Sequence, residues 1–369
     1  MINEMILTAG PSITEKEISY VTDAVKNGWN NNWNNYLLKF EKSLADYVGV
    51  KHSLSTSSAT GALHLSMLAC GIGPGDEVIV PEISWVASAS AVAYVGATPV
   101  FCDIDPVSWC LDIESAARLL TPKTKAILPV HIYGHPANMP AIMEFARANN
   151  ILIIEDAAPS IGAEVDGKKT GSFGDAAAFS FQGAKILSTG EGGMFVSNND
   201  EIFNRVKSLN DHGRDPSQPF ASVEVGYKYK MSNLQAAMGL AQIERVEELV
   251  NKKREINSIY QELLKDCTAV KVTTELPDCK SIHWMTSVEL LGFDYDKRQR
   301  FMGKLRENLV DSRPVFSPLS SLPMFEPRVK NPVALRIGQS AINLPSGHNL
   351  ILEQLEHVAT TIKKTRIAI

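Results

Sequence analysis

The sequence predicts an α/β protein with a mostly parallel sheet, followed by a smaller α+β unit. Between about residues 59 and 191, short apolar strands alternate with helical segments, an order typical of a parallel sheet flanked by helices. The strands are near-continuous β-branched runs without polar alternation, as expected of strands that are covered on both faces. After about residue 232 the pattern changes to a charged amphipathic stretch and then to mixed strands and helices.

The individual elements follow from apolar runs and from the residues that interrupt them. In the first part of the chain we predict strands at 77–80, 99–103, 125–130 and 151–156, and helices at 61–70 and 85–95. In the second part we predict one long connecting helix over 234–264, a strand at 286–291, and helices at 298–308 and 350–362. Because 369 residues exceed one ordinary core, we expect a large domain (1–245, with an N-terminal arm) and a small domain (246–369).

Composition excludes several classes of function. The formal net charge is −5 with 21% charged residues, so no basic face is predicted and nucleic acid is not an expected partner. The five cysteines are odd in number and lack CxxC or metal-like spacing, which favours free thiols in a reducing compartment and no metal site. No apolar run approaches 18 residues and no leader-like pattern opens the chain, so we expect a cytoplasmic protein without a membrane span.

The first feature with chemical potential is the small, hydroxyl-rich run at 57–63, which includes Ala59 and Thr60 and begins a predicted helix. A helix N-terminus offers backbone N–H groups and a favourable dipole to an anion such as a phosphate. An ordinary N-cap explains the same residues equally well.

The second feature is Asp156, which lies at the end of the apolar strand predicted at 151–156. A buried carboxylate is costly unless donors or a cation satisfy it. Capping of the next helix is one explanation, and pairing with a protonated pyridine nitrogen is another.

The third feature is Lys185, which lies between an aromatic strand containing Ser180 and a Gly-Glu-Gly-Gly turn at 190–193. Burial would lower the pKa of this lysine and make its amine a nucleophile for a carbonyl group. A solvated surface lysine is the competing interpretation.

Together the three features match the needs of a pyridoxal phosphate (PLP) site. Lys185 would form a Schiff base, Asp156 would keep the pyridine nitrogen protonated, and the helix beginning near Ala59 and Thr60 would take the phosphate. Trp85, at a strand end, could stack on the cofactor ring, although core packing would explain it as well.

At these residues the sequence resembles the DegT/DnrJ/EryC1/StrS family of sugar aminotransferases. The resemblance runs over nearly the whole chain and depends on the order and spacing of its pieces. The matching segments are 71–81, 96–100, 129–134, 154–158, 171–175, 179–181, Lys185, 189–193, 226–237, 312–314 and 343–345.

The resemblance implies a PLP-dependent aminotransferase of fold type I, like aspartate aminotransferase, which works as a homodimer with active sites at the subunit interface. It implies that Lys185 carries the cofactor and shuttles protons, and that Asp156 pairs with the pyridinium nitrogen. It further implies that Trp85 stacks on the ring, and that Ala59, Thr60 and Ser180 bind the phosphate.

Several positions depart from the family's usual residues. Ala59 stands where glycine is common, and Pro159 replaces a polar side chain that reaches the cofactor's ring oxygen in relatives. Lys228 replaces an asparagine that reaches the partner subunit's phosphate, a contact that a lysine can make as a point charge. Ser320 stands where the most similar members, GDP-perosamine synthases, tend to carry histidine.

These similarities imply an amino transfer, from L-glutamate as the usual family donor, to a keto sugar by a ping-pong mechanism. A nucleotide-linked 4-keto-6-deoxyhexose is the favoured acceptor, with a non-nucleotide oxo-sugar or sugar acid as the alternative. Trp33, His212, Arg313 and Ser320 are candidate substrate contacts.

Three other functions are open to a chain with these patterns. A regulatory protein could keep the fold without turnover, but Lys185 and Asp156 are intact and no DNA-binding domain is appended. A PLP-dependent dehydratase of this family would carry histidine in place of Lys185. A nicotinamide-dependent dehydrogenase would need a GxGxxG after the first strand, and none is present.

Overall fold

The computed structural model describes residues 2–326 and 328–367. The strands in chain order are β1 His52–Thr56, β2 Glu77–Pro81, β3 Thr98–Cys102, β4 Thr124–Ile127, β5 Leu152–Asp156, β6 Glu164–Val165, β7 Lys168–Lys169, β8 Ala176–Ser180, β9 Gly193–Ser197, β10 Val270–Val272, β11 Cys279–Lys280, β12 Ser287–Leu290, β13 Arg313–Pro314 and β14 Ala341–Asn343. The α-helices are α1 Glu15–Asn27, α2 Asn35–Val48, α3 Ala59–Ala69, α4 Ala87–Tyr94, α5 Ile113–Ala117, α6 Met139–Asn149, α7 Asp200–Leu209, α8 Asn233–Ile243, α9 Val246–Leu264, α10 Tyr295–Glu307, α11 Pro332–Ser340 and α12 Leu352–Ile367.

The central sheet has seven strands in the order β1-β9-β8-β5-β4-β2-β3. The pairs from β8 to β3 are parallel, whereas β9 is antiparallel to both of its neighbours. Strands β2 and β9 are buried along their whole length, which explains why they lack polar alternation. The predicted α/β class with a mostly parallel sheet is therefore confirmed.

Local sequence signals position the helices around this sheet. Helix α1 begins with a capping box, in which Thr14 and Glu17 exchange side-chain and backbone hydrogen bonds. Helix α3 begins after Ser58, whose Oγ accepts from the Gly61 N–H at 3.0 Å, and it packs on β8 and β9. Ser232 and Gln235 form a second capping box at the start of α8, which packs against α1 and α2.

The prediction of one continuous helix over 234–264 is wrong, because the chain breaks at residues 244 and 245 between α8 and α9. Arg245 leaves helical geometry, with φ −115° and ψ 9°. Its guanidinium donates to Glu17 Oε1 at 2.7 Å, to Ser12 Oγ at 3.0 Å and to Glu248 Oε1 at 2.7 Å. These contacts with the N-terminal region turn the chain where the amphipathic pattern alone shows no interruption.

The buried apolar side chains of the described residues form two clusters. The larger cluster surrounds the central sheet and the helices on it, and the smaller one lies among α9, α10, α12 and the antiparallel sheet β10-β12-β14-β13. The larger cluster also contains residues of the second part, among them Trp284 and Ile337, so the division into two domains at 245/246 stays a prediction. A smaller antiparallel sheet, β11-β6-β7, joins a hairpin of the first part to the second part.

The N-terminal arm completes the smaller cluster. Ile6 is buried there and forms a parallel bridge with Val310, while the Thr8 hydroxyl donates to Asp311 Oδ2 at 2.8 Å. In the adjoining part of α9, the Lys253 amine is fully buried and donates to the Ser346 carbonyl. Burial lowers the pKa of Lys253 to about 7.

Candidate active site

An open cavity with a volume of about 700 Å³ lies at the carboxyl ends of the parallel strands. It collects residues that follow β2, β4, β5 and β8 in the chain, which is where ligand sites of open α/β sheets lie. Its other walls come from the start of α3, from the loop before β12 and from residues 313–317. The cavity therefore lies between the central sheet and the second part of the chain.

Asp156, the last residue of β5, lines this cavity and is 5% exposed. Its Oδ2 accepts from the Ser88 hydroxyl at 2.6 Å, and its Oδ1 accepts from the Ala158 N–H at 3.1 Å. Because Ser88 uses its only proton on Asp156, the Ser84 hydroxyl is the donor in the 2.6 Å contact between the two serines. Asp156 is thus held as an oriented carboxylate at the strand end.

The neighbouring Glu155 points to the other face of β5 and has a structural role. Its two oxygens accept from the backbone N–H groups of Gly171, Phe173 and Gly174 at 2.7–2.8 Å, and from His131 Nε2 at 3.0 Å. Burial alone would raise the pKa of Glu155, but these donors lower it below its usual value. The His131 proton resides on Nε2, because Nδ1 accepts from the Ala137 N–H.

Lys185 lies in the turn after β8 and is half-buried on the cavity wall. Burial lowers the pKa of Lys185 to about 8, although the negative charge of Asp156 acts in the opposite direction. A substantial share of this amine is therefore neutral near pH 8, the form in which nitrogen attacks a carbonyl carbon.

Four aromatic side chains form a continuous wall from the amine to the mouth of the cavity. Trp284 stacks on Tyr133 with ring centroids 6.1 Å apart, and Tyr133 stacks on Phe316 at 5.2 Å. Phe316 then contacts Trp85 at 5.7 Å. The Tyr133 hydroxyl accepts from the Phe316 N–H at 3.0 Å, which fixes the middle of the wall.

Gly134 allows this wall to form. Its φ is +94°, and a Cβ at this position would lie 2.6 Å from Ile282 Cγ1 and 2.9 Å from the backbone nitrogen of Trp284. Its carbonyl accepts from the Ile282 N–H at 3.0 Å. Glycine therefore lets the backbone that carries Trp284 approach the segment that carries Tyr133.

The N-terminal end of α3 opens into the same cavity through Ser58, Ala59, Thr60 and Leu63. Ser180 lines the cavity from the end of β8 and accepts weakly from the Gln182 N–H at 3.5 Å. Gly193 lets β9 approach this helix end, since a Cβ there would lie 2.4 Å from the Ala59 nitrogen. The arrangement offers backbone donors and a hydroxyl to an anion.

The structure thus brings one set of the residues singled out in the sequence together around the cavity. These residues are Ala59, Thr60, Trp85, Asp156, Ser180, Lys185 and Arg313. Arg313 is exposed, and its Nε lies 3.4 Å from Asp311 Oδ2.

Four other candidates lie outside the lining of this cavity. Lys228 forms an ion pair with Asp211 at 3.1 Å, and His212 follows Asp211 with a positive φ of 64°. Trp33 is half exposed, and Ser320 donates its backbone N–H to Glu82 Oε1 at 2.7 Å. The first three lie near one another, because Lys230 also pairs with Asp211 and lies 4.8 Å from the Trp33 ring.

Sequence reasoning missed Ser88, Trp284, Tyr133 and Phe316. Ser88 could have been found, since it lies one helical turn after Ser84 on the segment that carries Trp85. Trp284 and Phe316 are about 100 and 130 residues from Lys185 in the chain, and no local pattern brings them to it.

Within residues 2–326 and 328–367, no helix is both long enough and apolar enough to cross a bilayer. The five cysteines are free thiols, of which Cys102 and Cys110 are buried.

The residues around the cavity fit PLP. An amine of lowered pKa shares the cavity with a carboxylate that is already oriented by two donors, and a helix N-terminus opens on the same space. This donor set supplies one group for each part of the cofactor: its aldehyde, its ring nitrogen and its phosphate.

Comparison with known proteins agrees with this geometry. The model of the DegT/DnrJ/EryC1/StrS aminotransferase family matches residues 11–363. GDP-perosamine synthase from Escherichia coli O157:H7 is 38% identical over 355 residues, which cover 96% of each chain. GDP-perosamine synthase from Caulobacter vibrioides is 39% identical over 365 residues, or 98% of each chain.

Among solved structures, the PLP form of Spr1654 from Streptococcus pneumoniae superposes with a TM-score of 0.92. It is 26% identical and covers 99% of both chains. The fold is that of the type I PLP-dependent aminotransferases, as the sequence predicted. The chain belongs to the DegT/DnrJ/EryC1/StrS aminotransferase family and is a PLP-dependent aminotransferase.

Proposed function

We propose that this enzyme transfers an amino group from L-glutamate to the keto group of a nucleotide-linked 4-keto-6-deoxyhexose, for amino-sugar biosynthesis. The observation that carries the proposal is the meeting of Lys185 and Asp156 in one large cavity at the strand ends. Relatives named GDP-perosamine synthases, which align over nearly the full chain, support a sugar nucleotide as the acceptor.

The roles of the residues follow from their positions. The bound cofactor supplies an electron sink, which makes the proton on the α-carbon of an attached amino acid acidic. Lys185 Nζ would take this proton as general base and, once protonated, would donate it again as general acid. Asp156, held by Ser88 and Ala158, would keep a proton on the pyridine nitrogen of the bound cofactor.

Other residues would bind and orient the cofactor. Ala59 and Thr60 would bind the phosphate through the start of α3, and Ser180 would add a hydroxyl. Trp85 would lie on the ring face, since it is 61% exposed beside the cavity and its ring is tilted against Phe316.

We also propose a homodimer with active sites at the subunit interface. The segment after α7 carries three strongly exposed apolar side chains, Phe220, Val223 and Val225, which a partner subunit would cover. The cluster of Trp33, His212 and Lys228 borders this segment. Lys228 would then reach the phosphate site of the partner subunit, and the half-exposed Trp33 would meet the acceptor there.

The remaining substrate contacts would come from the second part of the chain. Arg313 is a cation on the cavity wall and suits a carboxylate or phosphate of the substrate. Ser320 and His212 would border the acceptor. Five free thiols support a reducing location such as the cytoplasm.

The absorption spectrum of the purified protein, recorded before and after L-glutamate, tests the proposal. We expect a long-wavelength band of lysine-bound cofactor that glutamate converts to the pyridoxamine form, and no such band in Lys185→Ala. A band that glutamate does not move would reject the donor.

A second addition identifies the acceptor. A GDP-linked 4-keto-6-deoxyhexose should restore the original band in a single turnover. Recovery with a free oxo-sugar or sugar acid, but not with the nucleotide sugar, would replace the proposed acceptor and keep the aminotransferase chemistry.

A further inference from the structure

Lys185 has a contact that its proposed attachment to the cofactor does not use. Its Nζ lies 3.6 Å from the centroid of the Trp284 ring, over the indole face. Both side chains line the same cavity, and Trp284 is only 7% exposed. A cationic or N–H-bearing amine at this position is attracted by the negative face of the ring.

The indole is fixed from three sides. Its Nε1–H donates to the Ala184 carbonyl at 2.7 Å, so the ring is tied to the residue next to Lys185. Its outer face stacks on Tyr133, which is anchored by the Phe316 N–H. The backbone of Trp284 lies against Gly134, so close that a side chain at position 134 would not fit between them. A ring fixed in this way offers the amine one defined resting place.

We propose that Trp284 is a positioning residue, which holds the Lys185 amine on its indole face whenever that amine is not bonded to the cofactor. The inference rests on the proposed role of Lys185. During each half-reaction the amine is released by the incoming amino group, and it must then move a proton between two neighbouring carbons. Holding the free amine at one point of the cavity wall keeps it within reach of both carbons.

The contact also favours the protonated amine, because the ring face attracts positive charge. The proton taken from the substrate carbon therefore stays on Nζ, near the reacting atoms, until it is delivered. Asp156 acts on the amine in the same direction.

The test uses the protein after its cofactor has been removed. The second-order rate constant of PLP attachment is measured by absorbance at a series of pH values. Because only the neutral amine attacks, the midpoint of the curve of rate constant against pH gives the apparent pKa of the free Lys185 amine. In Trp284→Leu, which has no ring face, we expect the midpoint to fall by about 0.5–1.5 pH units. Trp284→Phe keeps a ring but loses the bond to Ala184, and its midpoint should lie between the two.

Trp109→Leu is the matched control. Trp109 is also buried, and its ring centroid lies 6.5 Å from that of Tyr133, but it does not line the cavity. Its midpoint should equal that of the wild type. A midpoint that stays the same or rises in both Trp284 variants would overturn the proposal, and Trp284→Phe decides the question if the leucine variant does not fold.

Turnover provides an independent measurement. With α-deuterated L-glutamate, Trp284→Leu should show a lower kcat, an unchanged KM and a larger isotope effect than the wild type, because proton transfer becomes slower. An unchanged isotope effect would refute the positioning role. If wild-type protein fails to turn over L-glutamate, the donor assignment fails, while the attachment measurement still decides the role of Trp284.

Discussion

Replacing Gly134 with alanine tests whether the aromatic wall depends on close approach of two backbone segments. The residue has φ +94°, and an added Cβ would lie 2.6 Å from Ile282 Cγ1 and 2.9 Å from the Trp284 nitrogen. Left-handed geometry costs a non-glycine residue about 1–2 kcal/mol. Alanine also reduces the conformational freedom of the unfolded chain, which stabilises the protein by about 0.4–1 kcal/mol. The net backbone effect is therefore a loss of roughly 0–1.5 kcal/mol.

The contact adds to this cost. Overpacking a well-packed interior typically costs about 1–3 kcal/mol, and the Trp284 nitrogen cannot rotate away as a side chain would. We therefore expect Gly134→Ala to lower the free energy of unfolding by roughly 1–4.5 kcal/mol. Equilibrium unfolding in urea, followed by circular dichroism, measures this change.

Gly75→Ala provides a matched control, because Gly75 has the same φ of +94° and no atom within 4 Å of an added Cβ. Its cost should be the backbone part alone. The difference between the two variants then isolates the steric contact. Equal costs would show that the approach of residues 282–284 to Gly134 does not constrain the fold, and the fixed position of Trp284 would lose one of its three supports.

Three further variants test the charged groups. Lys185→Ala should keep the far-ultraviolet circular dichroism spectrum but lose the band of lysine-bound cofactor and all transamination; retained turnover would refute its role. Asp156→Asn should lose most of kcat while retaining part of the cofactor, as measured by cofactor content, because the contacts at α3 remain. Lys253 has a pKa of about 7 when folded and 10.5 when unfolded, so unfolding takes up a proton between these values and stability rises with pH there. In Lys253→Met the slope of the unfolding free energy against pH, measured by urea titrations between pH 7 and 9, should be shallower by up to about 1.4 kcal/mol per pH unit. An unchanged slope would contradict the burial of this amine.

The sheet and one side of the site could be predicted because both follow from local patterns. Apolar β-branched runs mark the strands, and in a parallel sheet the residues that follow them meet at one edge. Asp156, Ser180 and Lys185 are near strand ends in the sequence, and the structure accordingly gathers them around the cavity. The helix that begins at Ala59 is marked by the capping serine before it.

The other side of the site could not be predicted, because it depends on contacts between distant parts of the chain. Trp284 reaches Lys185 through contacts of its loop with Gly134 and of its indole N–H with Ala184. The break before α9 depends on Arg245 and its partners Ser12 and Glu17, more than 220 residues earlier, while the amphipathic pattern runs through unchanged. In both places tertiary contacts decide what periodicity leaves open.

The pairing of the N-terminal arm with residues near 310 has a consequence for how the protein is made. Ile6 and Thr8 are translated about 300 residues before their partners Val310 and Asp311. At typical translation rates of about 5–20 residues per second, the arm waits roughly 15–60 s for its binding site. The smaller core therefore cannot close on the growing chain until that stretch has emerged, whereas all seven strands of the central sheet have been translated by Ser197.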